Sequence, residues 1–254
     1  MSGQLLKTYA VVIPAYNESR TIADVARHAL AQTGQVIVVD DGSEDDTVGQ
    51  LQTLPVILLR HDSNQGKAAS LWTGMQHALT LGVDAVITLD GDGQHRPEDI
   101  PRLLQAAQQE NRIIIAARLQ GREQVPRARR FGHRMADFWI AWAAGYPLRD
   151  TQSGFRLYPA DLLRQIKLPH SRAYSFVFES EILIEAARLG YFAQAVPIQA
   201  IYPPQARTSH YRPWADTSRI VRMVAWKLLA RGLYIPGLLR SLGMLPAPPG
   251  QTSK

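Results

Sequence analysis

The sequence predicts an α/β fold: a mixed, mainly parallel, Rossmann-like sheet with helices on both faces, in a single domain. Two observations predict it. Short apolar runs over residues 9–13, 36–39, 56–59, 85–89 and 113–117 have the length and Val/Ile content of strands buried on both faces. Helical patterns over residues 19–32, 44–51, 67–81 and 97–109 separate them, which gives the βαβα alternation of parallel sheets. Ser43 or Asp45 would cap the second of these helices, and Pro97 suits the first turn of the fourth.

After Arg118 the alternation breaks. Residues 120–126 read as a loop, and residues 127–144 as a helix carrying apolar Phe131, Met135, Phe138, Trp139 and Trp142. A loop and short strand follow over 146–159, a helix over 179–189 and a strand over 192–198. The proline-punctuated stretch after Ile201 reads as a loop, and residues 219–231 as a helix with Ile220, Val221, Val224, Leu228 and Leu229 on one apolar face. The chain therefore divides into an extension (1–7), a main domain (8–218), an amphipathic segment (219–245) and a flexible tail (246–254).

The composition is that of an ordinary globular protein, with 46% hydrophobic and 20% charged residues in a chain of 254. The absence of cysteine excludes disulfides, thiolate metal sites and a cysteine nucleophile. No leader pattern opens the sequence, and no apolar window reaches the roughly 18 residues of a membrane span. The net charge of +6 is uneven: residues 202–254 hold eight Lys/Arg against Asp216 alone. A second basic cluster, Arg122, Arg127, Arg129, Arg130 and Arg134, stands against Glu123. Such asymmetry suits an anionic partner, a diphosphate or a phospholipid surface. No nucleic-acid-binding module is recognisable, so no nucleic-acid partner is expected.

The segment Asp90-Gly91-Asp92-Gly93-Gln94 carries the most chemistry. A buried strand that runs into it presents two carboxylates at the C-terminal edge of the sheet, where open α/β sheets bind ligands. Two carboxylates and an amide are hard oxygen donors suited to Mg²⁺ or Mn²⁺ shared with phosphates. Other strand ends deliver Asn17 and Glu18, and Asp40 and Asp41, to the same edge; each group also has a plain reading as a cap or a turn. Gly66-Lys67 opens a helix, a favourable place for phosphate, although the spacing is not that of a P-loop.

Six segments in order, "VVIPAYNES", "VIVVDDGSEDDT", "NQGKAASLWTGM", "LDGDGQHRPEDI", "DTQSGFRLY" and "TSHYRPWADTSRI", resemble the inverting family-2 glycosyltransferases of the GT-A fold. Within that family the chain is most similar to the polyprenyl-phosphate branch, the dolichyl-phosphate mannose and glucose synthases. The resemblance implies that Pro14, Ala15, Tyr16, Glu18 and Asp41 hold the nucleoside, while Asp90, Asp92 and Gln94 hold Mg²⁺ or Mn²⁺ and the donor diphosphate. It places Lys67 near the donor, Arg118 near the sugar or acceptor phosphate, and Asp150, Gln152, Ser153 and Gly154 beside the sugar. Ser209, His210 and Arg212 match a loop that closes over the phosphates. Asp92, Arg118, Asp150 and Arg212 are then the catalytic set.

The implied reaction is metal-dependent transfer of a hexose from a UDP- or GDP-sugar to a polyprenyl phosphate, at the cytoplasmic face of a membrane. The alternative is a hydroxyl acceptor on a glycan or glycolipid, for which Asp150 would serve as base. A sugar-phosphate nucleotidylyltransferase and a non-catalytic domain of this fold rank lower. The former's glycine-rich signature is absent after Ile13, and the carboxylates that the latter would lose are present.

Overall fold

A computed structural model describes residues 8–108, 111–120, 127–168, 175–199, 201, 213–246 and 248; for 119–120, 127–131, 133, 175–176 and 213–217 it describes the backbone alone. Seven strands form one sheet: β1 (Tyr9–Ala15), β2 (Val36–Asp40), β3 (Ile57–Arg60), β4 (Ala85–Thr88), β5 (Arg112–Gln120), β6 (Arg156–Pro159) and β7 (Phe192–Gln199). Their order is β3-β2-β1-β4-β6-β5-β7, parallel except for β6, which runs against both β4 and β5.

This order positions the site. The chain leaves β1 toward β2 and β3, then returns to place β4 on the other flank of β1, so β1 and β4 bound a topological switch point. Ligands of open α/β sheets bind outside the strand ends at such a point. Ala15 pairs with Asp40 in register, and Thr88 pairs with Arg156, so β1, β2 and β4 finish where the antiparallel β6 begins. Because β5 runs with β4, its C-terminal end reaches the same edge. Strand ends and the turn before β6 thus converge from segments distant in sequence.

Helices cover both faces. On one side α1 (Ile22–Leu30) packs on β1 and β2 at Val11, Ile13 and Val38, and α3 (Ile100–Ala106) packs on β5, β6 and β7. On the other, α2 (Lys67–Thr80) packs on Val12, Val39 and Val86, α5 (Ala160–Gln165) lies on β6, α6 (Ser175–Arg188) lies against α2 and β7, and α4 (Arg127–Ala144) and α7 (Pro213–Leu229) pack against α6 in the same core. The alternation of odd and even strand positions between two cores follows from the two-residue period of the pleat. A last helix, α8 (Ile235–Ser241), lies against α4. Among the described residues no helix is long and apolar enough to cross a membrane.

Some elements depart from expectation. The helix expected over 44–51 is only a 3₁₀ turn, Gly49–Leu51. The side chains of Ser43, Asp45 and Thr47 instead accept backbone N–H bonds from Asn17, Ser19 and Glu18, a use that competes with helix formation. Accordingly neither Asn17 nor Ser19 caps α1; Asn17 takes φ 55° and accepts from the Glu44 and Asp45 amides. The apolar face expected on residues 219–231 also splits. Ile220, Val224 and Leu228, with Met223, are core, whereas Val221 and Leu229 are 55% and 65% exposed. The segment expected to be helical over 219–245 is broken after α7 by a 3₁₀ turn, Gly232–Tyr234, before α8.

Candidate active site

The first wall of the site is the pair of turns after β1 and β2. Pro14, Tyr16 and Glu18 are half-buried there and Ala15 is buried. Asp41 is buried, and its carboxylate accepts from the Gln65 and Gly66 amides at 3.0 and 2.7 Å, with His61 Nδ1 at 2.7 Å. Asp41 therefore braces the turn that delivers Lys67 to the start of α2. Thr21 Oγ1 donates to the Gly91 carbonyl at 2.6 Å and ties this wall to the acidic turn after β4.

Lys67 is the electrostatic centre. Its Nζ lies 2.6 Å from Asp90 Oδ1 and 3.0 Å from Glu179 Oε1, the latter reaching in from α6. Burial alone would lower the pKa of this ammonium, but the two carboxylates reverse the effect and hold it well above the usual lysine range. Burial likewise opposes ionisation of Asp90, and the Lys67 charge outweighs it, so the Asp90 carboxyl lies below its usual range. At Asp92 the charges of Lys67 and Arg118 do not outweigh the opposing effects. Burial first, and then the charge of Asp90, raise its pKa. Of the two carboxylates on this turn, Asp92 is thus the one left short of positive charge.

Gly154 makes this packing possible, because a Cβ there would lie 2.6 Å from Asp90 Oδ2 and 2.9 Å from Lys67 Nζ. Its carbonyl accepts from Thr88 Oγ1 at 2.7 Å, and Ser153 Oγ donates to the Ala116 carbonyl at 2.7 Å. Both bonds stitch the turn before β6 to the flanking strands.

Arg118 and Asp150 form the second wall. Asp150 Oδ2 accepts from the Arg118 amide at 2.7 Å and from its Nε at 3.3 Å, while Oδ1 accepts from an Nη at 3.1 Å. Asp150 sits at φ 51°, and Asp137 of α4 holds it there by accepting from the amides of Asp150 and Thr151 at 3.1 and 2.8 Å. Arg156, fully buried, donates to the carbonyls of Ser153, Thr151 and Glu179 at 2.7, 2.7 and 2.6 Å. One guanidinium therefore fixes both the 151–153 turn and the α6 residue that holds Lys67.

The Gln94 amide donates to Asp92 Oδ1 at 3.0 Å, which folds the acidic turn on itself. His95 is buried against Phe155, and its Nδ1 has no hydrogen-bond partner among the described residues. Burial pushes its pKa down to about 4. Among the described residues no group of three or more His, Asp or Glu gathers around one point.

The structure brings Lys67, Asp90, Gly154, Arg118 and Asp150 together and places Tyr16, Glu18 and Asp41 along the adjoining wall. Ser209, His210 and Arg212 lie outside the described residues. Three supporting residues escaped sequence reasoning: Glu179, Asp137 and Arg156. The only sequence signal was a charged residue inside an otherwise apolar segment, which is costly unless paired.

A mixed sheet of this order, with a half-buried lysine between two carboxylates at its switch point, has the GT-A fold. The description "Glycosyl transferase family 2" matches residues 10–183, and the chain belongs to that family. It is 29% identical to the undecaprenyl-phosphate mannosyltransferase of Micrococcus luteus over 92% of this chain and 98% of that one. It is also 29% identical to the UDP-N-acetylglucosamine–dolichyl-phosphate N-acetylglucosaminyltransferase of Methanococcus voltae, over 77% and 86% of the two chains. Among solved structures, the glucosyl-3-phosphoglycerate synthase of Mycobacterium tuberculosis, in complex with Mn²⁺, UDP and glucosyl-3-phosphoglycerate, superposes with a TM-score of 0.61 at 24% identity. That match covers 88% of this chain and 79% of the synthase.

Proposed function

We propose that this glycosyltransferase moves a hexose from a nucleoside diphosphate sugar to a polyprenyl phosphate, with inversion at the anomeric carbon. The observation that carries the reading is Lys67, a fixed cation between Asp90 and Glu179 at the strand ends. In the reaction the bond from the anomeric carbon to the diphosphate oxygen breaks, and a bond to an acceptor phosphate oxygen forms. Negative charge grows on the leaving diphosphate, and a cation already oriented there needs no reorganisation as it does so. Pro14, Ala15, Tyr16, Glu18 and Asp41 would line the nucleoside's place, with Ser153 and Gly154 beside the sugar.

Asp90 and Asp92, with the Gln94 amide, fit a Mg²⁺ or Mn²⁺ ion. Their oxygens are hard donors, and the raised Asp92 carboxyl marks a turn short of positive charge. Such an ion would supply further charge stabilisation to the leaving diphosphate.

The Arg118–Asp150 pair supports a phosphate acceptor. Asp150, the one base that the sequence offered for a hydroxyl, spends its carboxylate on the backbone and guanidinium of Arg118. A phosphate acceptor is already ionised at neutral pH and needs no base, while the arginine clamped by Asp150 would orient it. The names of the relatives from M. luteus and M. voltae support the same acceptor class.

The test is a panel of UDP- and GDP-hexoses with Mn²⁺, with and without short-chain polyprenyl phosphate. The expected product is a lipid-linked sugar phosphate from one donor. Transfer only to hydroxyl acceptors, or to none, would sink the proposal.

A further inference from the structure

We infer that α7, the 3₁₀ turn after it and α8 together form a docking face for an anionic phospholipid bilayer; the inference rests on the lipid-acceptor reading above. Eight of the thirteen large apolar side chains strongly exposed among the described residues fall within the 25 residues from Val221 to Leu245. Single exposed apolar side chains are ordinary, but a concentrated set marks an interaction surface. The inner face of α7 is already satisfied, since Ile220, Met223, Val224 and Leu228 are core and Lys227 is held by Glu181 and Glu185. Its outer stripe, Arg222, Trp226 and Leu229, follows helical spacing, and Trp226 and Leu229 are 62% and 65% exposed. Leu233, Leu242 and Met244 continue the exposed apolar run.

Charge selects the occupant. After Asp216 the sequence holds no Asp or Glu, and with Lys227 held inward by Glu181 and Glu185, Arg222, Arg231 and Arg240 carry the positive charge of this face. A second copy of the chain would bring two such positive faces together, whereas an anionic bilayer complements one. Arginine beside tryptophan and leucine is also the composition of interfacial helices, with an aromatic ring at headgroup depth.

Helix α4 links the face to the active site. Trp142 of α4 donates from Nε1 to the Leu233 carbonyl at 2.9 Å and stacks on exposed Trp139. On the same helix Asp137 holds the 150–151 turn that clamps Arg118. Docking through this face would bring the headgroup layer near the arginine proposed to take the lipid phosphate.

The experiment is flotation of the full chain with phosphatidylcholine vesicles, with and without phosphatidylglycerol, comparing wild type with Trp226→Ser/Leu229→Ser. Both side chains are exposed, so the variant should keep its circular dichroism and melting temperature, and its transfer to a water-soluble short-chain polyprenyl phosphate. Wild type is expected to float with the anionic vesicles and the variant to bind at least about tenfold more weakly, the loss of two interfacial apolar groups. Equal flotation of both proteins, or no flotation of wild type, overturns the proposal. A wild-type dimer that the variant abolishes, with no vesicle binding, assigns the face to a second copy instead. Vesicle binding without transfer to the short-chain acceptor would leave the face in place and defeat the acceptor reading, so the two failures are separable.

Discussion

Lys67 and His95 show how opposite charge states are imposed within one site. Lys67 gains more from Asp90 and Glu179 than it loses by burial, and stays charged. His95 is buried with an Nδ1 unpartnered among the described residues, and stays neutral down to about pH 4. The unfolded chain protonates this imidazole at its ordinary pKa of 6.5, and the folded chain refuses the proton until about 4. The unfolded state therefore binds more protons throughout that window. Stability contributed by neutral His95 is complete above pH 6.5 and is lost as pH falls toward 4. The loss should approach about 3 kcal/mol. Urea midpoints of metal-free protein across that window check this, with His95→Gln as the comparison. An equal slope in both proteins would reject the assignment. The sequence showed His95 beside the acidic turn but could not show its neutrality, which depends on packing against Phe155 from a segment 60 residues away.

Among the elements, the α6–α7 contact is the one whose strength can be argued from a single side chain. Lys227 reaches from α7 to Glu181 at 2.9 Å and to Glu185 at 2.5 Å, and Glu181 is fully buried. Lys227→Met keeps the length of the side chain and removes this cation from buried Glu181, while Glu185 keeps Arg188. Removing one partner of a buried pair typically destabilises by about 3 kcal/mol or more. A urea midpoint unchanged by Lys227→Met would show that α7 is held by its apolar face alone. The alternating half of the chain was legible at this scale because strands buried on both faces are nearly continuous Val/Ile runs, as in 36–39 and 85–88. Elements defined by tertiary contact were not. Asp45 and Thr47 carried a helical pattern, but their side chains serve the Asn17–Ser19 backbone. Within α8, Gly237 lets the helix approach α4, since a Cβ there would lie 2.8 Å from the Trp142 carbonyl.

At the scale of the whole molecule, strand order does the assembling. Asp41, Asp90, Arg118 and Asp150 are spread over more than a hundred residues, and the switch point at β1 and β4, with β6 reversed, returns them to one edge. The sequence gives the strand ends, but it cannot give the antiparallel insertion of β6 that puts Gly154 against Asp90. One consequence is thermodynamic. Asp90 is already neutralised by Lys67, while Asp92 retains a charge deficit, so a divalent cation alone meets a half-satisfied site. A nucleoside diphosphate alone would bring its charge to Lys67 but also to two carboxylates. Each ligand corrects the electrostatics that oppose the other, and their binding should be positively coupled. A ligand that binds only the folded state at a hundred times its Kd stabilises by about 2.7 kcal/mol, which is several degrees of melting temperature for a chain of this size. Mn²⁺ with UDP or GDP should therefore raise Tm by more than the sum of the two separate shifts, and the more effective nucleotide identifies the donor. Additive shifts would show that the cation and the diphosphate do not share the Asp90–Asp92 turn.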